Sequence, residues 1–191
     1  MNFKKIAAVI ALSLLAPMAS AAATVGFTPS AKSVLPGETF TLTLHGSGFD
    51  VTPGDLSIDN VTGFQGFGFS FDASRVEVVR VQIDALWWFR PDAGTLDNVA
   101  GTLTGVKGGV FPATTSDSFD LLTVTLKSLG AGDSKFSVKT GVFAGKVAGL
   151  SGQVIVPAFQ SATIHAVPEP SEWALMLSGL ALIGSRLRKQ R

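Results

Sequence analysis

The 191-residue chain has no cysteine, no tyrosine, only two histidines and only 15% charged residues. Without cysteine there is no disulfide framework and no thiol chemistry. The two histidines, His45 and His165, stand alone in the sequence, and two isolated histidines without cysteine do not make a zinc site. No Gly-x-Ser-x-Gly elbow surrounds a serine, so a nucleophilic triad has no sequence support, and each histidine reads as a surface residue at a strand end. Six of the 15 basic residues and two of the 14 acidic ones lie in the two end segments. The middle of the chain is left with nine basic and twelve acidic residues, a net of −3. A mildly acidic surface argues against nucleic acid as a partner. What the chain has in place of tyrosine is phenylalanine, 14 residues of it, together with 21 glycines.

The N-terminal stretch has the three parts of a secretory signal peptide. Lys4 and Lys5 form the positive region, Ile6 to Met18 the apolar region, and Ala19-Ser20-Ala21 or Ala21-Ala22-Ala23 the small-residue cleavage site. Residues 1–23 are therefore set aside from the fold. The C-terminal stretch VPEPSEWALMLSGLALIGSRLRKQR is its counterpart. Its apolar run from Trp173 to Ser185 is 13 residues long. As a helix that run reaches about 20 Å, against a hydrocarbon core of about 30 Å. Gly179 and Gly184 weaken it further. Trp173 stands where an interfacial aromatic belongs, and Arg186, Arg188, Lys189 and Arg191 form a basic stop on the cytoplasmic side. Such a segment can halt in a membrane without being a comfortable permanent anchor.

The motif Val167-Pro168-Glu169-Pro170, the short run with Gly179-Leu180-Ala181-Leu182, and the arginine-rich end together resemble a PEP-CTERM sorting signal. That resemblance covers residues 167–191. It implies an exosortase-type membrane protease that reads the motif and removes the tail. It also implies a Gram-negative-type envelope, transient residence in the inner membrane, and a final place on the cell surface or outside it, often alongside exopolysaccharide. A plain inner-membrane anchor is the alternative.

Residues 24–166 are enough for one domain; a chain of about 150 residues buries about 68–70% of its unfolded surface. The pattern there is strand and turn with almost no helix. Thr24 to Thr28, Thr39 to Leu44, Phe67 to Phe71, Val76 to Val79, Phe119 to Leu126, Lys135 to Thr140 and Gln153 to Ile164 read as strands, with turns at Pro36-Gly37-Glu38, Asp72-Ala73-Ser74 and Gly130-Ala131-Gly132-Asp133. Short strands at regular spacing mean an all-β sandwich or jelly roll. Phe69, Phe71, Val76, Val78, Leu122, Val124, Leu126, Phe136 and Val138 are expected on its inward face.

Ser33-Val34-Leu35-Pro36-Gly37-Glu38-Thr39-Phe40-Thr41-Leu42 resembles the opening of a cohesin-type domain. The stretch Phe69-Ser70-Phe71-Asp72-Ala73-Ser74-Arg75-Val76-Glu77-Val78 is similar to that family's central hairpin, with Phe71 and Val76 in place of the commoner Tyr and Leu. Leu122 to Leu126, followed by Ala131-Gly132-Asp133-Ser134, matches a later strand and turn. The resemblance implies a jelly roll of about nine strands, related to carbohydrate-binding modules. Cohesins bind a dockerin partner through one sheet face, but their binding residues form no motif that matches here, so only the fold carries over.

Two local features suggest sites. Asp50, Asp55, Asp59 and Asn60 cluster in FDVTPGDLSIDN, where loop oxygens could hold Ca²⁺. The spacing is not that of an EF-hand, and turn-capping by Asp and Asn accounts for the cluster equally well. Trp87-Trp88-Phe89-Arg90 stands in DALWWFRPDAG. Neighbouring residues of a strand face opposite ways, so at least one ring is expected outside, where it would stack on a sugar or anchor a partner. The alternative is that Trp87 or Trp88 plugs one end of the sandwich. In a regular strand Trp88 and Arg90 share a face.

These features favour an exported, non-catalytic binding module for exopolysaccharide or a surface protein. The competing readings are a polysaccharide hydrolase using carboxylates of the Asp50–Asp59 or Asp92–Asp97 loops, and a structural subunit that self-associates through sheet edges.

Overall fold

Alternating threonine and apolar residues dictate the layers. The computed structural model describes residues 23–49, 58–147, 150–168 and 170–189. The strands are β1 (Thr24–Pro29), β2 (Ser33–Val34), β3 (Thr39–Ser47), β4 (Ile58–Ser70), β5 (Val76–Ile83), β6 (Phe89–Asp92), β7 (Thr95–Asp97), β8 (Thr102–Thr114), β9 (Phe119–Ser128), β10 (Gly132–Val147), β11 (Leu150–Ile155), β12 (Ala158–Phe159) and β13 (Ser161–Ala166). Helix α1 (Pro170–Lys189) follows.

The strands form two sheets. The first has the order β12-β1-β3-β9-β5. The second has the order β2-β13-β10-β4-β8-β6, with β11 on the second half of β10 and β7 on the start of β8. The expected sandwich is what forms. All nine residues expected on the inward face are buried, none more than 7% exposed. In β3 the apolar Phe40, Leu42 and Leu44 point in, and Thr39, Thr41 and Thr43 point out. β9 lies beside it in register, with Leu42 opposite Val124 and Thr43 opposite Thr123.

Phenylalanine fills the space between the sheets. Phe49 packs against Phe119 and Phe143 at centroid distances of 4.6 and 4.8 Å, and Phe67 lies 5.1 Å from Phe143. The first pair is tilted at 35° and the other two are edge-to-face; aromatic pairs of this kind add about 0.5–1.5 kcal/mol each beyond their burial. Among the described residues nine phenylalanines are buried.

Several segments differ from expectation. Gln153 to Ile164 is not one strand but parts of β11, β12 and β13, which pair with β10, β1 and β10 respectively, on either side of a buried Pro157. β10 starts inside the expected turn, at Gly132. The stretch after Trp87 is not a loop but the two short strands β6 and β7. β8, 13 residues long, has no counterpart among the expected strands. β2, β6, β7 and β12 are two to four residues long, and they take the number of strand segments among the described residues above the expected nine.

Register also fixes two poles. Thr24 lies opposite Ser47, and Gly46 opposite Phe119, at one pole. Thr39 opposite Lys127, and Gly132 opposite Ala166, mark the other. β13 leaves the sandwich at the second pole, where the Val167 N–H donates to the Val34 carbonyl at 3.0 Å.

Of the signal-peptide reading, residues 1–22 lie outside the described residues. The expected apolar run lies within α1, a 20-residue helix with Pro170 as its first residue, where the missing N–H costs nothing. Leu175, Met176, Leu177, Leu180 and Ile183 are 53–72% exposed. Among the described residues no helix is long and apolar enough to cross a membrane.

Candidate functional site

A tight turn after β5 sorts the two tryptophans. The Asp84 N–H donates to the Leu121 carbonyl at 3.0 Å, and the Trp87 N–H donates to the Asp84 carbonyl at 3.0 Å. The Asp84 carboxylate accepts the Leu86 N–H at 2.9 Å. The chain reverses over three residues and drives Trp87 into the first pole of the sandwich. Its ring is fully buried, edge-on to Phe64 and Phe119 at 5.1 Å each, and its Nε1–H donates to the Asp120 carbonyl at 2.7 Å. Trp87 is thus the end plug, fully buried at the base of the groove described below, which corrects its expected role as an exposed binding ring.

Trp88 and Phe89 face outward, 58% and 49% exposed, with centroids 6.0 Å apart and planes at 82°. Arg90 departs from the expected alternation. Its φ is 49°, the left-handed region, which costs a non-glycine residue about 1–2 kcal/mol. Phe89 pairs with Gly109 and Asp92 with Lys107, so β6 spends three steps against two on β8. This bulge ends the shared parity of Trp88 and Arg90 and places the Arg90 guanidinium 5.3 Å from the Phe89 centroid, a cation–π contact. Trp88, Phe89 and Arg90 form one projecting ridge.

An open groove lies on each side. The first, ≈ 490 Å³, is lined by Ile83, Asp84, Ala85, Trp87, Trp88, Pro91 and Ala93. The second, ≈ 330 Å³, is lined by Phe64, Gln65, Phe89, Arg90, Lys107, Gly108 and Gly109. Glycine at 108 and 109 permits the close approach: an added Cβ would fall 2.9 Å from the Trp87 Cβ and 3.3 Å from the Phe89 ring, respectively. Phe111, two positions along β8 from Gly109, is 77% exposed and extends the apolar surface. Gln65, Lys107 and Phe111 were not legible as site residues, because only the pairing of β4, β8 and β6 brings them beside the ridge.

The rim acids hold structure. The Asp92 carboxylate accepts the Gly94 N–H at 3.0 Å and lies 3.4 Å from Lys107 Nζ. The Gly94 hydrogen bond first, then Lys107, holds its carboxyl below the ordinary value. The Asp97 carboxylate accepts the N–H groups of Val99 and Ala100. His45 and His165 lie on β3 and β13, each opposite an aspartate: His45–Asp120 at 2.7 Å and His165–Asp133 at 2.5 Å. These are surface cross-strand pairs.

Of the residues expected to hold Ca²⁺, Asp50 and Asp55 lie outside the described residues. Asp59 and Asn60 stand near the start of β4, with Asn60 opposite Lys146. Among the described residues no group of three or more His, Asp or Glu side chains is arranged to hold a metal ion. Of the sorting residues, Val167 and Pro168 follow β13, Glu169 lies outside the described residues, and Pro170 opens α1. Of the basic stop, Arg186 is exposed on α1, Arg188 and Lys189 belong to its last turn, and Arg191 lies outside the described residues.

No family model matches the chain, and no curated protein is similar to it. Solved structures do match, cohesins among them, and the likeness is to their β-sandwich fold. A cohesin module from a family 33 glycoside hydrolase of Clostridium perfringens ATCC13124 is 13% identical, with a TM-score of 0.55, 76% of this chain and 98% of that chain being covered. The seventh ScaB type I cohesin from Pseudobacteroides cellulosolvens is 11% identical, with a TM-score of 0.58 and coverage of 78% and 94%. A chain from a type I cohesin–dockerin complex of Clostridium thermocellum is 10% identical, with a TM-score of 0.55 and coverage of 75% and 99%. At these identities the likeness is one of fold.

Proposed function

We propose that this is an exported, non-catalytic binding module that docks a protein partner on the Trp88–Phe89–Arg90 ridge. The observation that carries the reading is the exposure of two adjacent rings, 58% and 49%, on a backbone held in a strained conformation at Arg90. A projecting tryptophan and arginine flanked by grooves is the anatomy of a protein hot spot. The 82° angle between the rings does not make a flat stacking surface for one extended glycan. Cohesin–dockerin complexes among the structural neighbours support a protein partner by analogy of fold. The acids Asp84, Asp92 and Asp97 are engaged in turns, and Asp92 is shifted away from the range a general acid needs.

A second reading, binding of exopolysaccharide, is favoured by Asp84 and Trp88 lining the same groove. The carboxylate and the ring would share one sugar unit. Retention of the purified exported form on host cells that lack the gene separates the two. Protease treatment of those cells abolishes retention if the partner is a protein; periodate treatment does so if it is a polysaccharide. Trp88→Ala abolishes retention in either case, and retention unaffected by it would overturn the ridge as the site.

The proposal extends to the address. The tripartite pattern of residues 167–191 and the exposed apolar side chains of α1 support PEP-CTERM sorting, with removal of the tail by an exosortase-type protease and release to the cell surface. The intact mass of the exported protein tests this. A mass that still includes Arg186 to Arg191 contradicts it.

A further inference from the structure

We infer that β11 is a self-association edge, at which two copies of this chain pair their β11 strands antiparallel about a two-fold axis. An unpaired strand edge is a template for another strand, and proteins protect such edges with charge, proline, shortness or a capping group. Among the described residues the other terminal strands of the two sheets carry those protections. β2 and β12 are two residues long. β6 contains Pro91, Arg90 and the bulge, and β7 contains Asp97. β5 carries Glu77 and Arg80, and the Asn98 side chain caps its Val78 from outside.

β11 stands apart. Among the described residues it pairs with β10 alone. It holds neither charge nor proline, and no charged residue occurs from Val147 to Ile164. Leu150, Val154 and Val156 are 64%, 64% and 70% exposed. Its one irregularity is the register shift facing Gly152, which has a φ of 75°. That leaves Gln153 to Ile155 regular.

A second copy is the occupant this edge suits. Antiparallel pairing of a strand with itself places each residue opposite a mirror-related position of the same sequence. A neutral strand therefore meets no like charge, whereas a charged edge would repel its own copy. The interface is closed and isologous. A strand pair of this length buries on the order of several hundred Å², short of the roughly 1,200 Å² of a stable complex. The dimer is accordingly weak and forms where the protein is concentrated.

The absence of native cysteine makes the test clean. Single cysteines are placed at Leu150, Gln153, Val154 and Val156 of the full chain, held in detergent so that α1 is covered, with Val99→Cys (94% exposed) as the control. Mild copper-phenanthroline oxidation then reports proximity. At the two-fold axis a residue faces its own copy at about 4.5–5.5 Å between Cα atoms, within disulfide reach, and each step away removes it by several ångströms. We expect covalent dimer to peak at one of these positions, at least tenfold above Val99→Cys, and a lysine on the same edge (Val154→Lys, or Gln153→Lys where the peak is at 154) to lower that peak at least fivefold. Equal yields at all positions, or a peak that the lysine leaves unchanged, overturn the inference.

Discussion

The carboxamide of Asn98 pairs with both backbone groups of Val78: the Val78 N–H donates to Oδ1 at 2.9 Å, and Nδ2–H donates to the Val78 carbonyl at 3.0 Å. One side chain thus takes the place of a neighbouring strand at the edge of β5. Asn98→Ala removes both bonds and leaves two backbone groups without their partner, at a cost of about 1–3 kcal/mol. Asn98→Asp keeps the acceptor and loses the donor, so its cost falls between. A urea midpoint that drops with unchanged slope is the expected readout. A midpoint unchanged in Asn98→Ala would mean that water replaces the amide without loss.

The two tryptophans divide stability from binding. Trp87→Ala removes a fully buried ring and its hydrogen bond to Asp120, at a cost of about 3–5 kcal/mol. Trp88→Ala changes stability by less than about 1 kcal/mol and abolishes retention on the cell surface. Denaturant titrations and retention assays on both variants check the division.

Backbone space separates two glycines of similar φ. Gly37 (φ +86°) has nothing within 4 Å of an added Cβ, whereas Gly101 (φ +66°) would drive its Cβ into the Phe71 carbonyl. Gly37→Ala therefore carries only the left-handed backbone penalty of about 1 kcal/mol. Gly101→Ala adds a collision beside the Phe71 N–H to Gly101 carbonyl bond and is expected to exceed it by about 2 kcal/mol or more. Thermal melts of the pair decide it.

Asp72, like Asp92, ties part of the stability to pH. Its carboxylate accepts the Ser74 hydroxyl at 2.6 Å and the Ser74 N–H at 3.0 Å, and faces Arg75 at 3.4 Å. The Ser74 bonds first, then Arg75, hold its carboxyl below the ordinary value. The folded value lies under the unfolded one, so the ionised group stabilises the fold above about pH 4, and that contribution is lost as pH falls through the lower folded value. Asp72→Asn is expected to melt below the native protein between about pH 5 and 7, with the gap closing under about pH 4. Because hydrogen bonds outweigh the charge of Arg75, about 0.5 M salt narrows the gap only slightly.

Period-two alternation made the layers readable. Val76, Val124, Leu126 and Phe136 each announce the inward face of a strand by the polar residues beside them, and all are buried. What alternation does not carry is the start of a strand's phase. Whether Trp87 or Trp88 turns inward is set by the Asp84 turn, and the face of Arg90 by the β6 bulge, both of which arise from pairing with residues far along the chain. Asn98 gives no sequence sign of its role, since an asparagine in a turn is ordinary. The division of residues 153–164 into three strands follows from partners on two different sheets.

The opposed poles have a mechanical consequence. A chain tethered through α1 would stand on the pole of Ala166, with the Trp88 ridge at the far tip. Strands of nine or so residues then act as a short mast of roughly 30 Å, lifting the aromatic tip above the headgroups toward whatever approaches from outside.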